Sequence, residues 1–237
     1  MEPTSSAPGS LPIYLQITEL LVRDIAAGRL IDGEKLPPER DMAAELGIAV
    51  GTLRKALAEL QNRGLLERVQ GSGNYVRAIS DPKSVYALFR LELLAGGGLP
   101  TAEVLAVDRL RKPAELPVFG RTPDAHRIRR LRRLNGIAAA IEEIWLDGSY
   151  VERLGREALS ESLYLFYRTS LSLWIARAED QVGLDHVPDW APEAFDQRPA
   201  SPVPHVLRIS YDQNGERAEV SRTWFDHTVA RYVARLK

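Results

Sequence analysis

Three stretches of helical periodicity fill the first part of the chain. A first predicted helix carries its apolar residues on one face: Ile13, Ile17, Leu20, Leu21 and Ile25. Gly28 follows where a C-terminal cap is expected. Pro38 opens a second helix that runs to Leu46, and Gly47 breaks it. The third helix ends at Gly64 and presents Leu53, Ala56, Leu57 and Leu60.

A strand, a tight turn and a second strand follow, with the sequences LLERV, QGSG and NYVRA. Helix, helix, short turn, helix and hairpin is the order of a winged helix-turn-helix. In that arrangement the third helix turns Thr52, Arg54 and Lys55 toward a DNA major groove. The hairpin tip, at Gln70 and Gly71, reaches the backbone or the minor groove. The alternative is an ordinary three-helix bundle with solvated Arg and Lys side chains.

Beyond a predicted linker at Asp81-Pro82, the pattern changes to one typical of strands. Alternation occurs in TAEVLAVDRLRKP, RIRRLRRLNG and AAAIEEIWLDG, and SESLYLFYRTSLS has helical spacing. HVLRISYDQNGERAEVSRTWFD predicts a hairpin with its turn at Asn214-Gly215. The predicted class is α+β, with an N-terminal winged helix-turn-helix and a C-terminal mixed, mostly antiparallel sheet. The expected organisation is a disordered N-terminus at 1–10, a DNA-binding domain at 11–78, a linker at 79–84 and a second domain at 85–237.

The predicted hairpin has an apolar face, which includes Ile209 and Val220, and a polar face. Three pairs are expected on the polar face: Asp212 with Arg217, Ser210 with Glu219, and Arg208 with Ser221. The apolar face belongs to the core. The polar face is either solvated, which is the favoured interpretation, or lines a cleft.

The arginine-rich run RIRRLRR also divides between two strand faces. Arg130 and Arg132 share a face with Ile128, and Glu142 lies among small and apolar residues on the next strand. A guanidinium group on an apolar face needs an anion or a carboxylate, because an unpaired buried charge is costly. The residues alone leave two possibilities: a polar ligand site, or a structural Arg–Glu pair at a sheet rim.

Composition restricts the class of protein. The net charge is −1 and the pI about 6.5, so any DNA-binding surface is local. Between 47 and 77 the chain carries five basic and two acidic residues: Arg54, Lys55, Arg63, Arg68, Arg77, Glu59 and Glu67. Without cysteine there is no disulfide framework. The polar N-terminus and the absence of an 18-residue apolar run predict a soluble cytoplasmic protein without a membrane partner.

Other chemistry has little support in the sequence. The four histidines lie at scattered positions without ligand spacing: His126, His186, His205 and His227. The glycines at 96–98 predict a flexible loop rather than a nucleotide loop. Glu142 and Glu143 are adjacent and point to opposite strand faces, which is unsuitable for a paired-carboxylate site. We therefore predict no catalytic residue, metal or cofactor.

Residues 12–77 resemble the DNA-binding domain of GntR-type bacterial transcription regulators. The matching pieces are PIYLQI, GEKLPPERDMA, TLRKAL and GLLERVQGSGNYV. The resemblance implies DNA contacts by Arg40, Arg54 and Gly71. Ala49-Val50-Gly51 stands where members often have Ser/Thr-Arg before the recognition helix. A commonly base-reading arginine is thus absent, and the DNA sequence preference is expected to differ.

Residues 84–236 resemble, more loosely, the UTRA ligand-sensing domain of the HutC subfamily, whose fold is similar to chorismate lyase. The matching pieces are LPTAEVLAV, RIRRLRRLNGIAAAIEEIWL, LSESLYLFY and EVSRTWFDHTVARYV. The resemblance implies that Arg130, Arg132 and Glu142 bind an effector, assisted by Ser162. Ala138 replaces a common proline, so the chemistry of the effector is not carried over.

The expected function is a ligand-responsive repressor. A homodimer is expected to bind a palindromic double-stranded operator and to leave it when a small, anionic effector binds. Two alternatives remain: an enzyme on the lyase-like fold with an accessory DNA-binding domain, and a winged-helix protein-interaction module. Turnover of the ligand distinguishes the first, and the lack of salt-dependent DNA affinity distinguishes the second.

Overall fold

A computed structural model describes residues 12–26, 29–77, 88–159 and 162–234. The described residues form two compact units, one before Arg90 and one over Arg90–Val233. The predicted disordered segment 1–10, the predicted linker 79–84 and the Gly28 cap lie outside the described residues. No helix within the described residues is long and apolar enough to cross a bilayer.

The first unit contains three helices and a hairpin. Its elements are α1 (Ile13–Ala26), α2 (Glu39–Glu45), α3 (Val50–Asn62), β1 (Leu66–Val69) and β2 (Gly73–Val76). Gly47 and Gly64 follow α2 and α3 with φ of +65° and +74°, the left-handed region in which glycine avoids the steric penalty of a Cβ atom. The apolar faces of the helices meet in one core that includes Ile17, Leu53, Leu57, Leu60 and Val76.

The second unit is built on a large antiparallel sheet. Its elements are β3 (Leu91–Leu93), β4 (Pro100–Arg111), β5 (Asp124–Leu134), β6 (Ile137–Asp147), α4 (Leu163–Ser170), β7 (Arg177–His186), β8 (Pro202–Tyr211), β9 (Arg217–Phe225) and β10 (Ala230–Tyr232). Six strands form the sheet in the order β4-β5-β6-β9-β8-β7, and β10 pairs with β3. The architecture confirms the predicted α+β class.

The turn between β5 and β6 fixes the register of the two central strands. Asn135 and Gly136 both have positive φ, 49° and 79°, as a two-residue hairpin turn requires. The resulting register places Arg130 opposite Glu142 and Ile128 opposite Ile144. Side chains alternate between the faces of a sheet, so Arg130 and Arg132 share the face on which α4 packs.

The β8–β9 hairpin differs from its prediction in two respects. Ser210 pairs with Glu219 and Arg208 with Ser221 as expected, but a bulge places Tyr211 opposite Arg217, so the expected Asp212–Arg217 pair is wrong. The favoured interpretation of a solvated polar face is also wrong. The side of the sheet that carries Ser210 and Glu219 is buried, because the tyrosines of α4 cover it.

Candidate DNA-binding surface and effector site

The residues expected to contact DNA are accessible on the first unit. Arg54 and Lys55 are exposed on the first half of α3, and Thr52 is half-buried there. Arg40 is exposed on α2. Gln70 and Gly71 are exposed at the tip of the β1–β2 hairpin, with φ of +75° at Gly71. A recognition helix, a helix before it and a hairpin wing can thus each present a polar group to a duplex.

Sequence reasoning missed one arginine and the carboxylate that holds it. Arg68, on β1, is 58% exposed and donates a hydrogen bond to Glu39 on α2. Glu39 also accepts from Arg54. The sequence signal for this contact was the Glu39-Arg40 pair in GEKLPPERDMA, of which only Arg40 was interpreted as a DNA contact.

In the second unit, the structure brings together the three side chains expected to bind an effector. Arg130 Nη2 lies 2.6 Å from Glu142 Oε2, and Arg132 Nη2 lies 3.1 Å from the same oxygen. A further bond of 3.3 Å joins Arg132 to Glu142 Oε1. All three side chains are buried. Two guanidinium groups therefore converge on one carboxylate beneath α4, and we call these three residues the Arg–Glu–Arg cluster.

Electrostatics within this cluster keep Glu142 ionised. Burial opposes the charge, but attraction by Arg130 and Arg132 outweighs burial and lowers the pKa of Glu142 from 4.5 to about 2. Burial lowers the pKa of Arg130, and Glu142 opposes that change. The carboxylate is consequently an acceptor at neutral pH.

A hydroxyl-rich layer adjoins the cluster and was not recognised as part of the site from the sequence. Glu219 on β9 accepts hydrogen bonds from Tyr167 at 2.6 Å and from Ser210 at 3.0 Å. The hydroxyl of Tyr164 lies 3.1 Å from that of Ser210. Burial raises the pKa of Glu219. These groups could have been suspected from the two tyrosines among the apolar residues at the start of α4.

Ser162 occupies the N-cap of α4. Its Oγ accepts a hydrogen bond from the backbone N–H of Leu165 at 3.3 Å, and its side chain is buried. Serine is a preferred residue at this position, because its hydroxyl can accept from an otherwise unpaired N–H of the first turn. Among the described residues, no group of three or more His, Asp or Glu side chains could hold a metal ion.

The ion pairs of Glu142 predict a specific dependence of stability on pH. A carboxylate with a lowered pKa contributes stability above its unfolded value, near 4.5, and that contribution is lost as the pH falls toward 2. Wild-type stability should therefore fall more steeply than that of Glu142→Gln over this range, by about 3 kcal/mol in total. Unfolding followed by tryptophan fluorescence at each pH measures the stability of the second unit, because all four tryptophans lie there.

Glu103→Gln is the matched control for this titration. Glu103 lies on the neighbouring strand β4, is 56% exposed, and approaches Arg133 only to 4.0 Å. Its variant should follow the wild-type curve. Equal slopes for wild type and Glu142→Gln would contradict the ionised cluster.

Comparison with known proteins agrees with the two-unit architecture. Residues 13–76 match the family described as bacterial regulatory proteins, gntR family, and residues 95–231 match the UTRA domain. The two matches together define a transcriptional regulator with a DNA-binding and a ligand-binding domain. The chain belongs to the GntR family of bacterial regulators, in its UTRA-containing branch. This family consists of regulators rather than enzymes, which confirms the prediction that the protein is a regulator and not an enzyme.

Individual relatives support the same assignment. The chain is 72% identical to the HTH-type transcriptional regulator SmoD of Agrobacterium fabrum strain C58, over 97% of this chain and 98% of that protein. It is 29% identical to the mannosyl-D-glycerate transport/metabolism system repressor MngR of Escherichia coli K12, over 73% of this chain and 75% of that protein. The crystal structure of YydK from Bacillus subtilis shares the fold, with a TM-score of 0.54 and 22% identity. The match covers 94% of this chain and 99% of YydK.

Proposed function

We propose that this regulator is a cytoplasmic repressor that leaves its operator when a small anionic metabolite binds beneath α4. The observation that carries the proposal is the convergence of Arg130 and Arg132 on Glu142 in the buried layer between α4 and the sheet. Two guanidinium groups can bind a carboxylate, a phosphate or a similar oxyanion through paired hydrogen bonds.

A sugar-like anion fits the rest of this layer best. An entering anion competes with Glu142 for the two arginines, which frees Glu142 to accept hydrogen bonds from hydroxyl groups. Glu219, Ser210 and Tyr164 supply further polar atoms beside it. The name of MngR, a relative, refers to mannosyl-D-glycerate, which is a sugar linked to a carboxylate. Ser162 assists the anion through its hydroxyl in this proposal.

The proposed test is a thermal-shift screen of sugar acids, sugar phosphates and their neutral parent sugars. A ligand that binds only the folded protein stabilises it by RT ln(1 + L/Kd) at free ligand concentration L, so the melting temperature rises with ligand concentration. Anionic sugars should raise it and the neutral parents should not. Stabilisation by neutral sugars alone would contradict the anionic assignment.

The proposed operator complex has two-fold symmetry. A homodimer places one α3 in each of two major grooves, so the operator is an inverted repeat. Arg54 and Lys55 contact base edges or phosphates, Thr52 and Arg40 contact phosphates, and the wing tip at Gln70 and Gly71 reaches the adjacent backbone. Effector binding favours a dimer arrangement in which the two helices no longer match both half-sites.

Arg54→Ala is expected to weaken operator binding by about 1–3 kcal/mol if Arg54 reads a base edge. A phosphate contact would instead weaken binding to every duplex and reduce the salt dependence by about one ion. Anisotropy of labelled duplexes at several salt concentrations separates these roles. Arg29→Ala, which removes a positive charge from the loop after α1, is the control, and wild-type behaviour of Arg54→Ala would contradict groove docking.

Val50→Arg is expected to change sequence preference more than overall DNA affinity. Val50 begins α3 and is partly exposed, at the position where the family often has a base-reading arginine. Selection from a random DNA library by both proteins measures the effect. Identical selected half-sites would show that position 50 does not face the bases.

A further inference from the structure

One carboxylate lies within the proposed DNA-binding surface of the first unit. Glu39 is the first residue of α2, and its Oε2 accepts a hydrogen bond from Arg54 Nε at 2.6 Å. Its other oxygen accepts from Arg68 Nη2 at 3.0 Å. The side chain of Glu39 is 16% exposed, whereas those of Arg54 and Arg68 are 63% and 58% exposed. The carboxylate thus lies behind two accessible guanidinium groups.

The contacts of Glu39 join every element that the winged helix presents to a duplex. Arg54 belongs to α3 and Arg68 to β1, and the buried Asn74 on β2 also helps to lower the pKa of the carboxyl group. The hydrogen bond from Arg54 is the largest cause of the lowered pKa of Glu39. At neutral pH the carboxylate is therefore charged and can hold both arginines at once.

Charge alone gives no reason for an acidic group at this place. DNA affinity that is independent of sequence comes from neutralising phosphates, and a carboxylate beside two arginines reduces their positive potential. Base readout has a different requirement. A free arginine side chain loses much rotamer entropy when it binds, and a side chain already held in place loses less.

We infer that Glu39 is a positioning residue, which orients Arg54 on the recognition helix and Arg68 on the wing for sequence-specific contacts. Arg68 thereby becomes a further DNA contact. The inference rests on the proposed docking of α3 in a major groove. The inference predicts that removing Glu39 lowers the affinity for the operator but not the affinity for unrelated DNA. A substitution on a DNA-binding surface normally changes both affinities together.

The test uses two labelled probes of equal length: a duplex carrying the half-sites that the wild-type protein selects from random DNA, and an unrelated duplex. Glu39→Ala should weaken operator binding by roughly tenfold while binding the unrelated duplex as tightly as wild type or more tightly. Glu39→Gln should have an intermediate effect, because its carbonyl oxygen can still accept one hydrogen bond. Glu45→Gln, which removes the same charge from the last residue of α2, should keep the wild-type ratio of the two affinities.

A second comparison shows whether the effect passes through the arginines. In an Arg54→Ala/Arg68→Ala background, adding Glu39→Ala should cause no further loss of the affinity ratio. The same loss in both backgrounds, or a wild-type ratio for Glu39→Ala and Glu39→Gln, would overturn the inference. Circular dichroism confirms that the variants are folded. If Glu39→Ala does not fold, the affinity ratio of Glu39→Gln decides the test.

The single variant Arg54→Ala distinguishes the two levels of failure. If it binds both probes like wild type, the docking of α3 is wrong and the inference fails with it. If it loses operator affinity while both Glu39 variants keep the wild-type ratio, the docking stands and only the positioning role of Glu39 is wrong.

Discussion

Arg132→Ala should lose effector-induced release from the operator while binding the operator without effector as wild type does. Arg132 supplies one of the two guanidinium groups of the Arg–Glu–Arg cluster, and removing a charged hydrogen-bond partner of a buried ligand costs about 2–5 kcal/mol of binding. The proposed DNA contacts belong to the other unit, so affinity for DNA in the absence of effector should not change. A titration of the operator complex with the stabilising ligand measures both quantities.

The protein is expected to fold without Arg132. Arg130, which lies 2.6 Å from Glu142 in the wild-type structure, is still present in the variant, so the buried carboxylate keeps a charged partner. Arg133→Ala is the matched control, because Arg133 follows on the same strand and its side chain is a third exposed. Unfolding of Arg132→Ala would favour a purely structural Arg–Glu arrangement. Release at the wild-type ligand concentration would remove Arg132 from the effector site.

Asp147→Ala should destabilise the second unit by about 3–5 kcal/mol. Asp147 ends β6, is fully buried, and accepts hydrogen bonds from Lys112 at 2.5 Å and from the backbone and hydroxyl groups of Thr122. Ser149 donates to its other oxygen. Burial opposes its charge, but these donors outweigh burial and hold the pKa of Asp147 well below its usual range. Removing the carboxylate leaves a largely buried ammonium group and several donors without their acceptor.

Urea unfolding followed by tryptophan fluorescence measures this loss. Asp108→Ala is the control, since Asp108 pairs with Arg127 on the sheet but is 40% exposed, and exposed ion pairs contribute about 0–1 kcal/mol. Similar midpoints for the two variants would contradict a structural role for Asp147. A clearly lower midpoint for Asp147→Ala would show that this buried charge stabilises the fold. The Arg–Glu–Arg cluster, in contrast, is assigned to effector binding.

Local sequence signals predicted much of the fold. Glycines at 47 and 64 predicted the helix ends, and the Asn214-Gly215 pair predicted the β8–β9 hairpin. All three glycines have positive φ, which few other residues adopt at low cost, whereas Asn214 does not. Strand β7 was not predicted. It lies at the edge of the sheet and is mostly exposed, so its residues lack the alternation that burial of one face imposes.

The candidate site was only partly accessible to sequence reasoning. Arg130, Arg132 and Glu142 could be grouped because they lie on adjacent strands joined by a short turn. The contact of Glu219 with Tyr167 joins residues 52 positions apart, and the packing of α4 that creates it has no local signature. The same reason explains the error at the polar face of the hairpin: alternation predicts which residues share a face, but not what covers that face.

Anisotropy of a labelled operator, titrated with an anionic sugar that stabilises the protein, tests the central claim most directly. The account predicts that the anisotropy of the wild-type complex falls to the value of free DNA as the ligand saturates. It also predicts that the ligand is recovered unchanged, and that the Arg132→Ala complex keeps its anisotropy. An unchanged or higher wild-type anisotropy at saturating ligand would contradict a repressor that its effector releases from DNA.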